Sequence, residues 1–197
     1  MDHSQEAGIK AGLFKLIYLH GCATMVLYYA KESWNMDDAV FMKEALVEAE
    51  KAFALGETPI GCVIVQDDVI IGRGYNRRNQ AGCALCHAEI DAIREASEVV
   101  GDWRLDTCTI YITLEPCPMC AGAIVQARIP RAVIGAMNPK AGCVGSILDL
   151  LHEPRFNHQV ETVTGVLEEE SRQLMQDFFK ALRERDRKRK EEGRERS

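Results

Sequence analysis

The most informative stretch of the chain is Thr113-Leu-Glu-Pro-Cys-Pro-Met-Cys-Ala-Gly-Ala-Ile124. An apolar run before it predicts a strand, and small and apolar residues after it predict a helix. The two thiols, Cys117 and Cys120, therefore fall at a helix N-terminus. Thirty residues before Cys117, His87-Ala-Glu89 opens a second predicted helix. We expect an α/β fold that brings a histidine and two cysteines together at these helix ends.

These residue types suit a catalytic zinc site. His87, Cys117 and Cys120 can hold Zn²⁺ tetrahedrally and leave a fourth position open for water. The metal lowers the pKa of that water toward neutrality, which makes hydroxide available at pH 7. Glu89 lies close enough to shuttle a proton without binding the metal. H-x-E followed by P-C-x-x-C is typical of zinc-dependent nucleobase deaminases, so we predict one zinc ion per subunit with Glu89 as the catalytic residue.

A structural zinc site is the first alternative. The chain has a second C-x-x-C pair, Cys83 and Cys86, and four cysteines could close a zinc ribbon with no open position. Thirty residues lie between Cys86 and Cys117, more than the roughly 15–20 residues of the usual ribbon spacer. A ribbon also makes no use of Glu89 or Pro116. We therefore favour the catalytic site.

The second alternative is a covalently attached haem, because Cys83-Ala-Leu-Cys-His87 has the C-x-x-C-H form of a c-type attachment site. Such attachment requires export, and residues 12–30 resemble a signal peptide only faintly. Lys15 and His20 interrupt the apolar run, and no clear small-x-small cleavage site follows it. Haem would also leave the Cys117 and Cys120 pair unexplained, so we do not expect it.

Length and composition predict one ordinary soluble domain. The chain has 197 residues, of which 47% are hydrophobic and 27% are charged, a balance typical of globular proteins. The chain has eight cysteines, four of which stand in two C-x-x-C pairs, and it lacks the look of a small secreted scaffold. This usage indicates metal binding in a reducing compartment. No apolar run reaches the roughly 18–20 residues needed to cross a bilayer. We predict a cytoplasmic protein with no membrane partner.

The charge is unevenly distributed along the chain. Residues 180–197 hold nine Lys or Arg and five Asp or Glu, a charge of +4, and the net charge of −6 then leaves −10 for residues 1–179. A local cluster of positive charge can attract phosphates whatever the total charge. Composition alone favours the simpler interpretation, in which this tail is a solvated helix end with paired Glu and Arg.

The chain divides into three predicted parts. Residues 1–35 show no clean amphipathic period, and we expect an N-terminal extension that is disordered or not part of the native protein. Residues 36–183 form the zinc-dependent domain, and residues 184–197 form a charged C-terminal helix end or tail. We predict a helix from Asp37 to Gly56, strands over 60–66 and 69–75, a loop over 76–86, a helix over 87–100, a strand over 108–114, a helix over 117–127, a strand over 131–136, a loop over 137–145, a short helix over 147–152, a strand over 160–164 and a long helix from 168 onward.

The motif stretch, together with His87-Ala-Glu-Ile90, closely resembles the bacterial tRNA-specific adenosine deaminases of the cytidine deaminase superfamily. The resemblance covers about residues 36–183. Further segments that fit it are Gly74-Tyr-Asn76, Gly101-Asp-Trp-Arg104, Pro139-Lys-Ala-Gly142 and Asp177-Phe-Phe179.

The resemblance implies a three-layer α/β sandwich of the cytidine deaminase type, with a mixed central sheet of about five strands flanked by helices, acting as a homodimer. It implies deamination of the wobble adenosine, at position 34 of a tRNA anticodon, to inosine, with the anticodon stem-loop as partner. Two alternatives stay open: a free-base or nucleotide deaminase acting on cytosine or guanine shares the zinc motif, and a non-catalytic zinc-binding module would deaminate nothing.

The resemblance also implies substrate contacts. Asn76 matches the family's base-contacting asparagine, and Phe178 and Phe179 lie where anticodon-loop contacts occur. Core packing is the alternative for the two phenylalanines, and because neighbours on a helix diverge by about 100°, we expect only one to face RNA. The other predicted substrate-binding residues are Asn138, Lys140 and Arg183.

The chain departs from the family pattern at two positions. Cys86 stands where a small alanine is usual before the motif histidine, so alternative ligation or oxidation becomes possible there. Asn138 stands where better-known members carry aspartate, so we expect looser discrimination of the ribose 2′-hydroxyl.

Overall fold

Helices and strands follow one another along the chain in the predicted order, except in the two segments described below. The computed structural model describes residues 36–195, so the prediction for residues 1–35 lies outside the described residues. The elements are α1 (Met36–Ala54), β1 (Gly61–Gln66), β2 (Val69–Tyr75), α2 (Arg78–Ala81), α3 (Ala88–Val100), β3 (Thr109–Leu114), α4 (Pro118–Gln126), β4 (Arg131–Ala136), β5 (Glu161–Thr164) and α5 (Glu168–Glu195).

The five strands form one mixed sheet in the order β2-β1-β3-β4-β5. β1 pairs antiparallel with both β2 and β3, whereas β3, β4 and β5 run parallel to one another. The parallel connection from β3 to β4 passes through α4, as a parallel pair requires a crossover. The predicted mixed sheet of about five strands flanked by helices is therefore confirmed.

The sheet is buried on both faces, because alternate residues of each strand enter two separate apolar clusters. Ile64, Ile110 and Ile112 pack with the inner faces of α3 and α4. Their neighbours Val63 and Tyr111 pack on the other face, against α1. Period-two burial of this kind on both sides explains why the central strands read as continuous apolar runs.

Gly74 positions the first turn of α3 against β2. A Cβ atom at this residue would lie 2.0 Å from the carbonyl oxygen of Ala88, so only glycine permits the approach. The contact brings the end of β2, and Asn76 beyond it, beside the helix that begins after His87. A close backbone contact thus builds one wall of the candidate site.

The secondary structure differs from the prediction in two segments. The short helix expected over residues 147–152 is wrong: this segment consists of turns, with a bridge between Val144 and Asp149. The loop expected over 76–86 contains one helical turn, α2, that ends at Gly82 in the left-handed conformation (φ 59°). α5 continues through the charged tail to Glu195. No helix among residues 36–195 is long and apolar enough to cross a membrane.

Candidate active site

Both halves of the predicted metal site lie at helix N-termini. His87 is the N-cap of α3 and Cys117 the N-cap of α4, and both have extended backbone conformations. Pro118 occupies the first turn of α4, where a missing N–H costs nothing. The free N–H groups and the dipole at the start of α4 favour the thiolate form of a cysteine placed there.

The three predicted ligands converge on one point. Nδ1 of His87 lies 3.8 Å from Sγ of Cys117 and 3.6 Å from Sγ of Cys120. Tetrahedral zinc with ordinary bond lengths places a ligating nitrogen and sulfur about 3.5 Å apart. The donor set and its spacing therefore fit zinc. Among residues 36–195, these three side chains form the group that could hold a metal ion.

The electrostatics of the three side chains favour a thiolate at Cys117. Hydrogen bonds from the Cys120 thiol and from His87 lower the pKa of Cys117 to about 4, although burial opposes this. The same contact with Cys117, together with burial, raises the pKa of Cys120. The hydrogen bond to Cys117 also raises the pKa of His87. The three side chains thus share protons among themselves, and a bound Zn²⁺ would displace those protons.

Glu89 lies buried beside the metal ligands. Its side chain is only 3% exposed, and burial raises the pKa of its carboxyl group above the ordinary value. Its Oε2 atom has no hydrogen-bond partner in the protein, a costly arrangement unless a ligand or water supplies one. Glu89 is therefore positioned to exchange a proton with a molecule bound at the metal site.

Asn76 is a second buried polar side chain with an unpaired oxygen. It is 5% exposed, and its Oδ1 atom has no hydrogen-bond partner in the protein. Its backbone N–H donates to Ile60 O at 3.1 Å, which fixes the residue at the end of β2. An amide held in this way can read the edge of a flipped base.

The loop after Asn76 is held by two buried or partly buried carboxylates. Asp91 of α3 accepts the guanidinium of Arg77 at 2.6 Å. Glu57, which is 2% exposed, accepts Gln80 N at 2.6 Å and Asn79 Nδ2 at 2.9 Å. Sequence reasoning missed Glu57, because its partners lie more than 20 residues away. The loop between β2 and α3 is therefore an ordered wall.

Glu115, at the end of β3, is a second residue that sequence reasoning missed. Its buried carboxylate accepts the backbone N–H groups of Asn138, Val144 and Ser146 at 2.8, 2.8 and 3.1 Å. It also accepts the hydroxyl of Ser146. Although burial alone would raise the pKa of Glu115, these hydrogen bonds lower it. The one signal in the sequence was a carboxylate between an apolar strand and Pro116.

The other predicted substrate residues fall into two groups. A groove of about 640 Å³ has Lys140, Phe179 and Arg183 in its lining, with Arg172 and Lys180 adding positive charge. The metal ligands are not part of that lining. The side chain of Asn138 turns back on its own loop, where Oδ1 accepts Lys140 N at 3.2 Å.

The two phenylalanines of α5 have different environments. Phe178 is 8% exposed and packs edge-on against Phe53 of α1, with ring centroids 5.8 Å apart. Phe179 is 41% exposed and lines the groove. The structure therefore places Phe178 in the packing between α5 and α1 rather than on the surface.

Comparisons with known proteins agree with this site. The MafB19-like deaminase family matches residues 36–183. The tRNA-specific adenosine deaminase of Bacillus subtilis (strain 168) is 50% identical over 148 residues, which cover 75% of this chain and 92% of that protein. The corresponding enzyme of Streptococcus pyogenes serotype M1 is 48% identical over 149 residues, covering 76% of this chain and 87% of that protein.

Among solved structures, one from a study of A-to-I editing by tRNA:A34 deaminases at the wobble position matches with a TM-score of 0.66 and 43% identity. The match covers 68% of this chain and 98% of that one. Residues 36–183, which the family model matches, contain the histidine, the cysteines and the glutamate described above. On this evidence the chain belongs to the MafB19-like deaminases and, within them, to the tRNA-specific adenosine deaminases.

Proposed function

We propose that the protein hydrolytically deaminates the wobble adenosine, A34, of a tRNA anticodon to inosine and releases ammonia. The observation that carries the proposal is the convergence of His87, Cys117 and Cys120 on one point beside the buried Glu89. The assignment of tRNA adenosine as the substrate is supported by two relatives named tRNA-specific adenosine deaminase, whose sequences are 50% and 48% identical to this chain.

The residues divide the chemistry between them. His87, Cys117 and Cys120 would hold one zinc ion per subunit, and the chemistry that the metal would supply is a water molecule of lowered pKa for attack on the purine ring. Glu89 takes a proton from the attacking water and delivers it to the departing amino group. A raised pKa suits this role, since a proton carrier works best when its pKa lies near the operating pH.

Substrate binding uses the amide wall and the basic groove. Asn76 offers its unpaired Oδ1 to the amino edge of the base. Phe179 provides an aromatic face for an unstacked loop base, and Lys140 and Arg183 contact phosphates. Phe178 packs edge-on against Phe179, with ring centroids 5.4 Å apart, and so helps to hold the Phe179 ring in place.

Asn138 shapes the loop that carries Lys140. Its side chain accepts the backbone N–H of that residue, so its role in binding is to present Lys140 and the loop backbone. A sugar hydroxyl that donates to Oδ1 would share this oxygen with the backbone hydrogen bond.

A homodimer in the cytoplasm completes the proposal, with residues 36–183 as the catalytic domain and residues 184–197 as its charged helix end. Exposed apolar side chains outside the groove supply a surface that a second subunit could cover. Ile147, Leu148 and Phe156 are 55%, 51% and 43% exposed, and all three belong to the segment between β4 and β5. Sedimentation or light scattering of the purified protein would test this, and a monomer at micromolar concentration would contradict it.

The direct experiment incubates the zinc-loaded protein with an anticodon stem-loop that carries a wobble adenosine, and inosine is detected by sequencing. We expect conversion of the stem-loop and no release of ammonia from cytosine, guanine or their nucleosides. A Glu89→Gln preparation is the matched control. Turnover of free bases without editing of the stem-loop would identify a small-molecule deaminase instead, and a zinc-binding module would turn over neither.

A further inference from the structure

Among residues 36–195, Cys83 and Cys86 are the two cysteines that lie outside the candidate metal site and are not buried in the core. Cys62, Cys108 and Cys143 are buried, whereas Cys83 and Cys86 are partly exposed on the loop that precedes His87. Leu85 between them is 60% exposed. A small molecule can therefore reach both thiols from solvent.

The backbone holds the two residues in a turn of suitable width. Cys86 N donates to Cys83 O at 3.3 Å, which closes a four-residue turn. Such turns bring their end Cα atoms within about 7 Å of each other, and disulfides span about 4.4–6.8 Å between Cα atoms. Little backbone movement is needed to join the two sulfurs.

The turn is tied to the wall of the candidate active site. Arg77 N donates to Cys86 O at 3.1 Å, and Cys83 N donates to Arg78 O at 3.1 Å. Arg77 follows Asn76 directly, and Cys86 precedes the ligand His87. A covalent bond across the turn would therefore stiffen the end of the loop before His87, and these two backbone hydrogen bonds link that turn to the start of the loop beside Asn76.

We propose that Cys83 and Cys86 form a redox-active dithiol that low-molecular-weight disulfides oxidise to an intraloop disulfide while the metal site keeps its zinc. One thiolate attacks a sulfur of glutathione disulfide and releases one glutathione. The second cysteine then attacks the mixed disulfide and releases the second glutathione, so two protein thiols and one glutathione disulfide become one protein disulfide and two glutathiones. The inference does not depend on the substrate proposed above.

The metal ligands should react more slowly for two reasons. Cys120 is fully buried, and thiolates that bind zinc are occupied by the metal. The exposed pair also carries its own resolving thiol, so a mixed disulfide on either residue is short-lived. Reduction by excess glutathione or dithiothreitol should restore both thiols.

The test treats zinc-loaded protein with glutathione disulfide and then blocks the remaining thiols with an alkylating reagent. We expect a loss of two hydrogens, no glutathione adduct, a peptide linking Cys83 to Cys86, and unchanged zinc content. Cys83→Ser should instead stop at a stable glutathione adduct on Cys86, and Cys86→Ser at one on Cys83. Hydrogen exchange of the backbone over residues 77–87 should slow in the oxidised form.

Three results would overturn the proposal. The first is that both thiols stay freely alkylated under conditions that oxidise a small dithiol. The second is a disulfide that includes Cys117 or Cys120, with loss of zinc. The third is a second zinc ion per chain that disappears in Cys83→Ser, because the pair would then be a metal site. Retention of one zinc ion per chain in the reduced Cys83→Ser protein verifies that this variant is folded.

Discussion

The carboxylate of Glu115 accepts the backbone N–H of Asn138 at 2.8 Å and so joins the end of β3 to the loop that carries Lys140. Pro116 and the ligand Cys117 follow Glu115 directly, so one side chain connects the metal site with the proposed substrate loop. Gly142 shows how tight the arrangement is, since a Cβ atom there would lie 1.9 Å from Glu115 Oε2. The loop is therefore fixed by a buried charge rather than by apolar packing.

Replacing Glu115 with glutamine should destabilise the loop and the protein. The amide nitrogen cannot accept any of the N–H or O–H donors that face it, and unsatisfied buried donors cost about 1–3 kcal/mol. We expect a lower urea midpoint, a raised KM for the stem-loop and zinc content close to wild type. Glu95→Gln, in an exposed acceptor of Arg73 N, is the control and should change little. Unaltered KM and stability would remove Glu115 from this role.

The stabilisation by Glu115 should also depend on pH in one direction. The pKa of its carboxyl group is lowered in the folded protein, so its contribution is complete above the unfolded-state pKa of about 4.3 and is lost as the pH falls through the folded-state pKa. The stability gap between wild type and Glu115→Gln should thus hold between about pH 5 and 8 and narrow in more acid solution. Urea titrations across this range measure it; a gap that widens on acidification contradicts the argument.

Glu89→Gln should keep the fold and the zinc but lose turnover. The amide has nearly the same shape, yet it cannot carry a proton from water to the leaving nitrogen, a step worth about 10²–10⁴-fold. The assay is single-turnover conversion of the stem-loop, with zinc determined on the same preparation. Activity within about tenfold of wild type, well short of that range, would exclude Glu89 as the proton carrier.

Zinc content should separate the two C-x-x-C pairs. Cys117→Ser or His87→Ala removes a ligand from the convergent site, so we expect each to release the metal and to weaken the dimer. Cys83→Ser and Cys86→Ser leave all three ligands in place and should retain one zinc per chain. Elemental analysis of the four variants decides between this site and a four-cysteine ribbon. A ribbon would also lose zinc when Cys83 or Cys86 is replaced.

The convergence of His87, Cys117 and Cys120 could be predicted from the sequence because each residue has a local structural signal. Cys117 and Cys120 lie in the first turn of one helix, and His87 is the N-cap of another. The order of strands and helices followed from apolar periodicity for the same reason. Whether the three residues bind zinc stays a prediction.

The residues that sequence reasoning missed act over long distances. Glu115 and Glu57 are held by donors that lie more than 20 residues away, and no pattern in the chain indicates such pairs. The helix predicted over 147–152 failed because Val144 pairs with Asp149, and Leu151 is buried by tertiary packing rather than by a helical face. Phe178 and Phe179 are adjacent in the sequence, and their different burial depends on which face of α5 packs against α1. The sequence alone does not indicate that face.

Asn138→Asp should change sugar discrimination without changing the loop. The asparagine side chain accepts a hydrogen bond from Lys140 N, and the carboxylate of an aspartate would accept the same hydrogen bond equally well. The substitution adds a negative charge and replaces the amide donor with a second acceptor oxygen. A carboxylate facing a polyanion is best satisfied by a 2′-hydroxyl donor. We expect the activity on a DNA hairpin to fall more than that on the RNA hairpin. Equal RNA-to-DNA ratios for the two proteins would exclude Asn138 from sugar discrimination.

The charged end of α5 should add phosphate contacts to the groove. Arg183, Arg187 and Lys190 are exposed and spaced four and three residues apart, so they lie along one helix face, continuous with the groove that Arg183 lines. Arg187 pairs with Glu191 at 3.8 Å, with both side chains mostly exposed, and such surface pairs are worth little. The charges therefore remain available to RNA.

Removing residues 186–197, or replacing Arg187 and Lys190 with glutamine, should weaken binding of the stem-loop most at low salt. Each lost phosphate contact lowers the slope of log affinity against log salt by about 0.7–0.9, so the double variant should lower it by up to about 2. Arg189→Gln is the matched control, because two residues along the helix turn the side chain by about 200° and Arg189 pairs with Asp186. Binding isotherms at several salt concentrations give the slopes. If wild type and the double variant share one slope, the tail is a solvated helix end whose charges serve solubility rather than RNA binding.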